Sequence, residues 1–233
     1  MMRRVGKAKT MRTFDEILAL AAGHHGSPEA VLEKAANAHA VADLTAVPDN
    51  HYLATMTRCV FNAGFNWKVI EAKWAGFEAA FLGFEPRRVA FMTDEDLDRL
   101  VSDARIVRHG AKIKSTIENA RFVVAESEQH GSFGGFLAGW PAGDQAGLLA
   151  YLSKHGSRLG GATGQYFLRF SGYDAWITSR DVCAALAREG VLDEPKATSK
   201  SALKAVDEAF TKLAEESGKP KAVISRVLAL SVG

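Results

Sequence analysis

The sequence has little cysteine, little proline and no long hydrophobic run, and each shortage excludes a class of protein. Its two cysteines, Cys59 and Cys183, lie far apart with no Cys-x-x-Cys pair, which excludes a four-thiolate zinc site or an iron–sulfur cluster within one chain. No run of about 18 apolar residues occurs, and the basic start has no apolar segment behind it. We therefore expect a cytoplasmic protein that has reduced thiols and does not contact a membrane.

The overall composition is that of an ordinary globular protein. In 233 residues the hydrophobic fraction is 47% and the charged fraction is 24%, so the chain is long enough to bury a core and is not a disordered tail. The formal net charge is only +2. This charge permits binding to nucleic acid but does not by itself indicate it, because dedicated nucleic-acid binders are usually more basic.

The positions of the prolines predict an all-α fold. All six lie between stretches of helical spacing and none interrupts one, and no Asn-Gly or Asp-Gly turn separates alternating apolar runs. A capping-box pattern begins at Thr13, with Glu16 three residues later, and three carboxylates follow Thr93 in a predicted first helical turn, where they favour the positive end of the helix dipole. The predicted helices are residues 14–22, 28–41, 49–63, 67–82, 86–91, 94–102, 110–129, 144–155, 161–171, 180–189, 198–217 and 220–231.

The glycine content suggests how the chain is organised. Residues 132–143 hold four glycines, and we consider this segment a possible linker between two helical lobes. The predicted organisation is an N-terminal helical extension over residues 1–48 and a main domain over residues 49–233.

Two local patterns carry alternative interpretations. Gly160, Gly161 and Gly164 form a glycine-rich turn between two helices, which either exposes backbone N–H groups to a phosphate or is an ordinary tight turn. An apolar stripe beginning with Trp67 and Ile70 predicts a buried helix face. Because Trp67 stands at the helix start, it is either core or a ring that faces a ligand.

Three stretches within residues 62–120 resemble the DNA-3-methyladenine glycosylase I family, a branch of the helix-hairpin-helix glycosylases. Residues 62–67 read Asn-Ala-Gly-Phe-Asn-Trp where the family has Gln-Ala-Gly-x-Ser-Trp. Residues 81–90 read Phe-Leu-Gly-Phe-Glu-Pro-Arg-Arg-Val-Ala, similar to the family's Phe-x-x-Phe-Asp-Pro-x-x-Val-Ala. Residues 106–113, Ile-Val-Arg-His-Gly-Ala-Lys-Ile, resemble its Ile-Ile-Arg-x-x-x-Lys-Ile, and the glycine-rich turn matches its hairpin.

The resemblance implies a two-lobed helix-hairpin-helix glycosylase that works as a monomer on double-stranded DNA without a cofactor. Such an enzyme flips a damaged base from the duplex and hydrolyses its N-glycosidic bond, here that of an alkylated purine similar to 3-methyladenine. No match to the superfamily's lysine nucleophile is present, which implies a monofunctional hydrolase. The implied base-pocket residues are Trp67, Cys59, Asn62 and Tyr166. The implied DNA-binding residues are Gly64, Arg108, Lys112, Gly160, Gly161, Thr163 and Gly164.

The chain also departs from the family pattern. Cys59 stands where the family has a pocket glutamate, and the cysteine and His/Cys pair of the family's zinc site have no counterpart, so no metal is expected. The catalytic aspartate of the superfamily aligns with Ser179, which leaves Asp181 as a weak catalytic candidate or as a first-turn carboxylate behind a serine cap. The alternatives to a glycosylase are a DNA-binding module without catalysis and a helical scaffold without a nucleic-acid role.

Overall fold

The protein is all-α over the residues that the computed structural model describes, 11–36 and 40–233. The all-α prediction is thus confirmed, and none of the described helices is long and apolar enough to cross a membrane. Residues 1–10 of the predicted extension and residues 37–39 of the predicted helix 28–41 lie outside the described part. The helices are α1 Phe14–His25, α2 Pro28–Ala35, α3 Asp49–Asn62, α4 Trp67–Ala72, α5 Trp74–Ala80, α6 Pro86–Ala90, α7 Asp94–Ser102, α8 Gly110–His130, α9 Phe133–Ala138, α10 Gln145–His155, α11 Ala162–Phe170, α12 Arg180–Arg188, α13 Lys200–Ser217 and α14 Lys221–Leu230.

The chain divides into two compact units. The first unit is formed by Met1–Ala40 together with Asp174–Gly233, and the second is the continuous segment Val41–Tyr173. The first unit therefore combines both ends of the chain. The predicted boundary after residue 48 falls inside the second unit, seven residues beyond its start at Val41.

The second unit is built around helices α3 and α8. An aromatic cluster fills its interior, with the fully buried Phe133 at the centre. The ring centroid of Phe133 lies 5.3 Å from that of Tyr52, 5.6 Å from that of Phe122 and 5.3 Å from that of Phe136. Edge and tilted contacts of this kind add to the burial of apolar surface, so this cluster is a main source of the unit's stability.

Residues 132–143, which the glycines suggested as a linker, belong instead to this core. They contain helix α9, whose N-cap is Ser132, and the Ser132 side chain accepts a hydrogen bond from the backbone N–H of Gly135. Gly134 is buried against the backbone of Leu44, so that a Cβ at this position would collide with the Leu44 carbonyl. The glycine here permits close packing rather than flexibility.

The predicted helix over residues 67–82 is interrupted at Lys73. The backbone of Lys73 leaves the helical region, with φ −102° and ψ 3°, and separates α4 from α5. Its ammonium donates a 2.6 Å hydrogen bond to the carbonyl of Ala104, and Gly76 packs against the backbone of Arg105. The close contact of Gly76 with Arg105 requires the backbone to change direction at Lys73. The helical spacing of the apolar residues did not indicate this change.

In the first unit, a buried carboxylate joins segments from both ends of the chain. Glu189 follows α12, and its fully buried side chain accepts hydrogen bonds from Arg12 Nη1 at 2.9 Å and Arg188 Nε at 2.8 Å. Arg188 Nη1 also donates to the carbonyl of Ser231 at 2.6 Å. Burial raises the pKa of Glu189, but the hydrogen bonds from Arg188 and Arg12 and the charges of those residues outweigh it and leave the pKa lowered.

We expect Glu189→Gln to destabilise the protein, because the neutral amide loses charge-assisted hydrogen bonds from two guanidinium groups. The free energy of unfolding at neutral pH should fall by about 2–3 kcal/mol in chemical denaturation. A carboxyl whose folded pKa is lowered stabilises the fold above its unfolded pKa of about 4.3, and this stabilisation is lost as the pH falls through the folded pKa. The difference between variant and wild type should therefore shrink in acid.

Glu215→Gln is the matched control, since Glu215 is exposed on α13. Its free energy of unfolding should stay within about 0.5 kcal/mol of the wild-type value. Equal effects of the two substitutions would contradict the role given to Glu189.

Candidate functional site

The second unit contains a small cavity with a largely apolar and aromatic lining. Its volume is about 150 Å³. One wall comes from the C-terminal end of α3 and the start of α4, and the other comes from α11. The lining residues are Cys59, Asn62, Ala63, Trp67, Ala162, Thr163, Tyr166 and Phe170. All four predicted base-pocket residues therefore lie together in this cavity.

Three aromatic rings border the cavity. The indole of Trp67 is 53% exposed, so its interpretation as a core residue is wrong. Its ring lies edge-on to Phe170, with centroids 6.2 Å apart and an interplanar angle of 85°. The ring of Tyr166 stacks with that of Phe170, with centroids 5.7 Å apart. The rings thus form an open, rigid aromatic surface to which a planar group can be added.

A tight turn after α3 sets the position of Trp67. Gly64 has φ +80°, a conformation that favours glycine, and the N–H of Phe65 closes the turn on the carbonyl of Asn62 at 3.2 Å. Asn66 then caps α4 by accepting a 3.0 Å hydrogen bond from the backbone N–H of Lys68. Trp67 is the first residue of that helix, which is why its ring projects from the turn.

Lys112 anchors the turn after α3 through hydrogen bonds to its backbone. Its Nζ, on α8, donates to the carbonyl of Phe61 at 3.2 Å and to that of Ala63 at 2.5 Å. The same atom lies 4.5 Å from the ring centroid of Phe65. Burial and the nearby charge of Arg158 lower the pKa of Lys112. The expectation that Lys112 contacts a phosphate directly is therefore corrected: the residue is 5% exposed and its ammonium holds backbone carbonyls.

The polar groups of the cavity lining are neutral. Burial raises the pKa of the Cys59 thiol to about 12, so this residue stays protonated and neither acts as a nucleophile nor replaces a carboxylate at neutral pH. Asn62, three residues later on α3, contributes an amide whose Oδ1 is buried and has no hydrogen-bond partner within residues 11–36 and 40–233. Thr163 and Tyr166 add hydroxyl groups from the opposite wall.

The glycine-rich turn between α10 and α11 is held by a second residue of α8. Asn119 accepts a 2.7 Å hydrogen bond from the backbone N–H of Ser157 and donates a 3.0 Å hydrogen bond to its carbonyl. Arg158 follows with φ +61°, and Gly161 begins α11 with φ +58°. This geometry fixes the hairpin before α11 begins.

The predicted DNA-binding residues separate into exposed and buried groups. Gly64, Arg108, Gly160 and Gly161 are exposed, as their predicted role requires. Gly164 is buried within α11, and a Cβ there would collide with the carbonyl of Leu159, so this glycine serves packing and its predicted place at the phosphate hairpin is corrected. Thr163 is half-buried and lines the cavity.

The two residues considered for the superfamily's aspartate belong to the first unit. Ser179 is the N-cap of α12, and its side chain accepts a 3.2 Å hydrogen bond from the N–H of Val182. Asp181 is an exposed carboxylate in the first turn of that helix. These observations match the interpretation of the pair as a serine cap followed by a first-turn acid.

The sequence analysis missed two aromatic residues near the cavity. Phe170 follows Tyr166 by four residues, a spacing that places both on one face of α11, so the pattern to find it was available. Phe65, at the tip of the turn, is 38% exposed and lies 6.1 Å from the His109 ring. Nothing local in the sequence indicated that a lysine would support its ring.

The chain's own residues do not fit the zinc site of the family. Its two cysteines are both buried free thiols, and one of them lines the cavity. Within residues 11–36 and 40–233, no group of three or more His, Cys, Asp and Glu side chains could hold a metal ion.

Comparison with known proteins places this geometry in a family. A model of the methyladenine glycosylase family matches residues 45–148. A 3-methyladenine DNA glycosylase I from Staphylococcus aureus, solved for the structural basis of 3-methyladenine recognition, is 30% identical. Its TM-score is 0.50, and the match covers 55% of this chain and 79% of that chain. The chain belongs to the methyladenine glycosylase family.

Curated relatives match over shorter segments. DNA-3-methyladenine glycosylase 1 of Escherichia coli (strain K12) is 44% identical over 69 residues, which are 30% of this chain and 36% of the relative. The DNA-3-methyladenine glycosylase of Haemophilus influenzae is 29% identical over 75 residues, 32% of this chain and 40% of the relative. The chain thus spans less than half the length of each. The resemblance drawn from the sequence motifs and the helix-hairpin-helix fold that it implied are confirmed.

We expect Lys112→Met to destabilise the protein, because the apolar stem is kept while the buried Phe61 carbonyl and the partly buried Ala63 carbonyl lose their donor. The free energy of unfolding should fall by about 1–3 kcal/mol. Arg108→Ala is the comparison, since Arg108 is an exposed cation of the same segment. Its effect should stay within about 0.5 kcal/mol in the same denaturation experiment. A fully stable Lys112→Met protein would contradict the anchoring role.

Proposed function

We propose that this chain is a DNA glycosylase that flips an alkylated purine out of double-stranded DNA and hydrolyses its N-glycosidic bond. The observation that carries this proposal is the open cavity bordered by Trp67, Tyr166 and Phe170. Stacking of a flipped base on such rings recovers part of the cost of unpairing it, which is smallest for a damaged base. A cationic alkylpurine gains a further attraction from the electron-rich ring faces.

The exposed glycine turns supply the docking surface in this proposal. Gly64 and Gly161 have positive φ and no side chain, and a Cβ at either position would point into open space. Backbone N–H groups at such turns can approach a phosphate or the gap in a duplex closely. The exposed Phe65 is well placed to occupy the space that a flipped base leaves. Arg108 adds an exposed cation for a phosphate.

The proposed hydrolysis does not require a strong acid or base among the side chains of the cavity. In hydrolysis the bond between C1′ and the base nitrogen breaks, a water oxygen bonds to C1′, and the water proton is released. A cationic alkylpurine already carries the charge that makes it a good leaving group, and it departs as the neutral base. Positioning and aromatic stacking can then accelerate its loss without a strong general base. The proposal assigns no catalytic role to Cys59 or Asp181.

The relatives support this assignment, since those named above are DNA-3-methyladenine glycosylases. A damaged base in a duplex as the substrate, a monomeric state and a cytoplasmic location are parts of the same proposal. The two buried free thiols agree with a reducing compartment.

We expect the purified protein to release free 3-methyladenine from methylated duplex DNA, measured by chromatography of the released bases. Trp67→Ala should keep its fold, because the ring is 53% exposed. It should bind undamaged duplex almost normally but lose about 1–3 kcal/mol of preference for a lesion, the usual worth of base–aromatic stacking.

Phe91→Ala is the matched control, because Phe91 is an 84% exposed ring of the same unit that does not line the cavity. Its release rate should equal that of wild type. Equal losses in the two variants would contradict a base-stacking role for Trp67. Salt-dependent duplex binding without any base release would favour a binding-only module instead.

The phosphate contact is tested by the salt dependence of duplex binding. Arg108→Ala should reduce the slope of log K against log salt by about one if this cation releases a counterion from one phosphate. Lys112→Met should leave the slope unchanged, because its ammonium is held by backbone carbonyls. Titrations of one undamaged duplex at several salt concentrations measure both slopes.

A further inference from the structure

Asn62 presents a buried hydrogen-bond acceptor without a partner in the wall of the cavity. Its Oδ1 is shielded from solvent and receives no hydrogen bond from any residue that the structure describes. Buried polar atoms in native proteins are nearly always satisfied, so an orphan atom calls for a specific explanation. Asn62 lines the cavity, and a rotation of its amide about χ2 would turn the shielded Oδ1 towards a bound ligand that supplies the missing donor.

The neighbouring groups do not explain the orphan acceptor. The Cys59 thiol, one helical turn earlier on α3, is neutral and a weak donor, and it does not reach the amide oxygen. Residues three apart lie on one face of a helix. The amide of Asn62 thus lies one turn beyond the position at which the family has its pocket carboxylate. The χ2 torsion of an asparagine is broad and roughly two-fold, so a small rotation directs Oδ1 towards a bound group.

We infer that Asn62 is the residue that selects the base: its Oδ1 accepts a hydrogen bond from the exocyclic amino group of an adenine-type base. This inference rests on the proposed function and names the substrate class of the same cavity. If the base carries a carbonyl oxygen in place of the amino group, that oxygen would face Asn62 Oδ1, and neither of these acceptors could donate a hydrogen bond to the other. A site built to bond an N–H group rejects an analogue that lacks it far more strongly than an apolar pocket does.

The experiment uses two free bases, 3-methyladenine and 3-methylhypoxanthine, which differ in this exocyclic group and in the ring N–H that accompanies the carbonyl form. Their binding to the full-length protein is measured by calorimetry, without DNA. Wild type should bind 3-methyladenine more tightly. Asn62→Ala should weaken 3-methyladenine about tenfold, the upper end of a typical hydrogen bond's worth, and leave 3-methylhypoxanthine nearly unchanged. Asn62→Asp keeps the acceptor and should keep the preference.

Thr211→Val is the control, because Thr211 Oγ1 is another buried oxygen without a partner and lies on α13, outside the cavity lining. It should bind both bases as wild type does, and thermal unfolding of every variant reports folding. Unchanged affinities in Asn62→Ala would overturn the inference. Loss of the preference in Asn62→Asp would also overturn it, because the amide would then act as a donor.

The free-base experiment separates this inference from the proposed function. A protein that prefers the amino-bearing base through Asn62 but releases nothing from methylated duplex DNA would contradict the glycosylase and leave the inference standing. If wild type and Asn62→Ala release bases from methylated duplex DNA equally well, the glycosylase activity would stand and the inference about Asn62 would be contradicted. A wild type that binds both free bases equally, or neither, would overturn the inference.

Discussion

The candidate site depends on one interaction, the hydrogen bonds of the buried Lys112 ammonium to the carbonyls of Phe61 and Ala63. The last carbonyls of a helix have no partner within it, and here a cation of another helix satisfies two of them at the end of α3. The turn that carries Gly64 and Trp67 is thereby fixed to the core. An exposed aromatic platform on an unsupported loop would lose conformational entropy on binding, and this anchor reduces that loss.

The same helix also sets the other wall of the cavity. Asn119 lies seven residues after Lys112 on α8, two turns further along one face, so their attachment points are about 10 Å apart along the axis. Lys112 holds the turn before Trp67, and Asn119 holds Ser157 at the start of the hairpin that leads to α11. One buried face of α8 therefore sets the distance between the two walls of the cavity. A rigid spacer of this kind suits a site that must accept a flat ring of fixed thickness.

Local signals in the sequence were sufficient for most of the fold, and non-local contacts explain the rest. The capping box at Thr13 formed as predicted, and the three carboxylates after Thr93 lie in a first helical turn as predicted, because both features depend on residues within one turn. The interruption at Lys73 and helix α9 were not predicted, because each depends on a glycine packed against a distant backbone segment. In the site, the resemblance to the family predicted four residues of the cavity lining. The burial of Lys112 was not predicted, because it depends on carbonyls about 50 positions away in the chain.

Among the residues that the structure describes, no carboxylate and no basic side chain lines the cavity, and this shifts the source of selectivity to the base itself. The Cys59 thiol stays protonated at neutral pH, and the Asn62 amide carries no charge. On the proposed function, attraction by the rings favours a cationic purine, and the same positive charge weakens its bond to the sugar. An unmodified purine is neutral and a poor leaving group, so it both stacks less strongly and resists cleavage. The chemistry of the lesion can thus supply the discrimination that a pocket carboxylate would otherwise provide, while the Asn62 amide distinguishes between bases of similar shape.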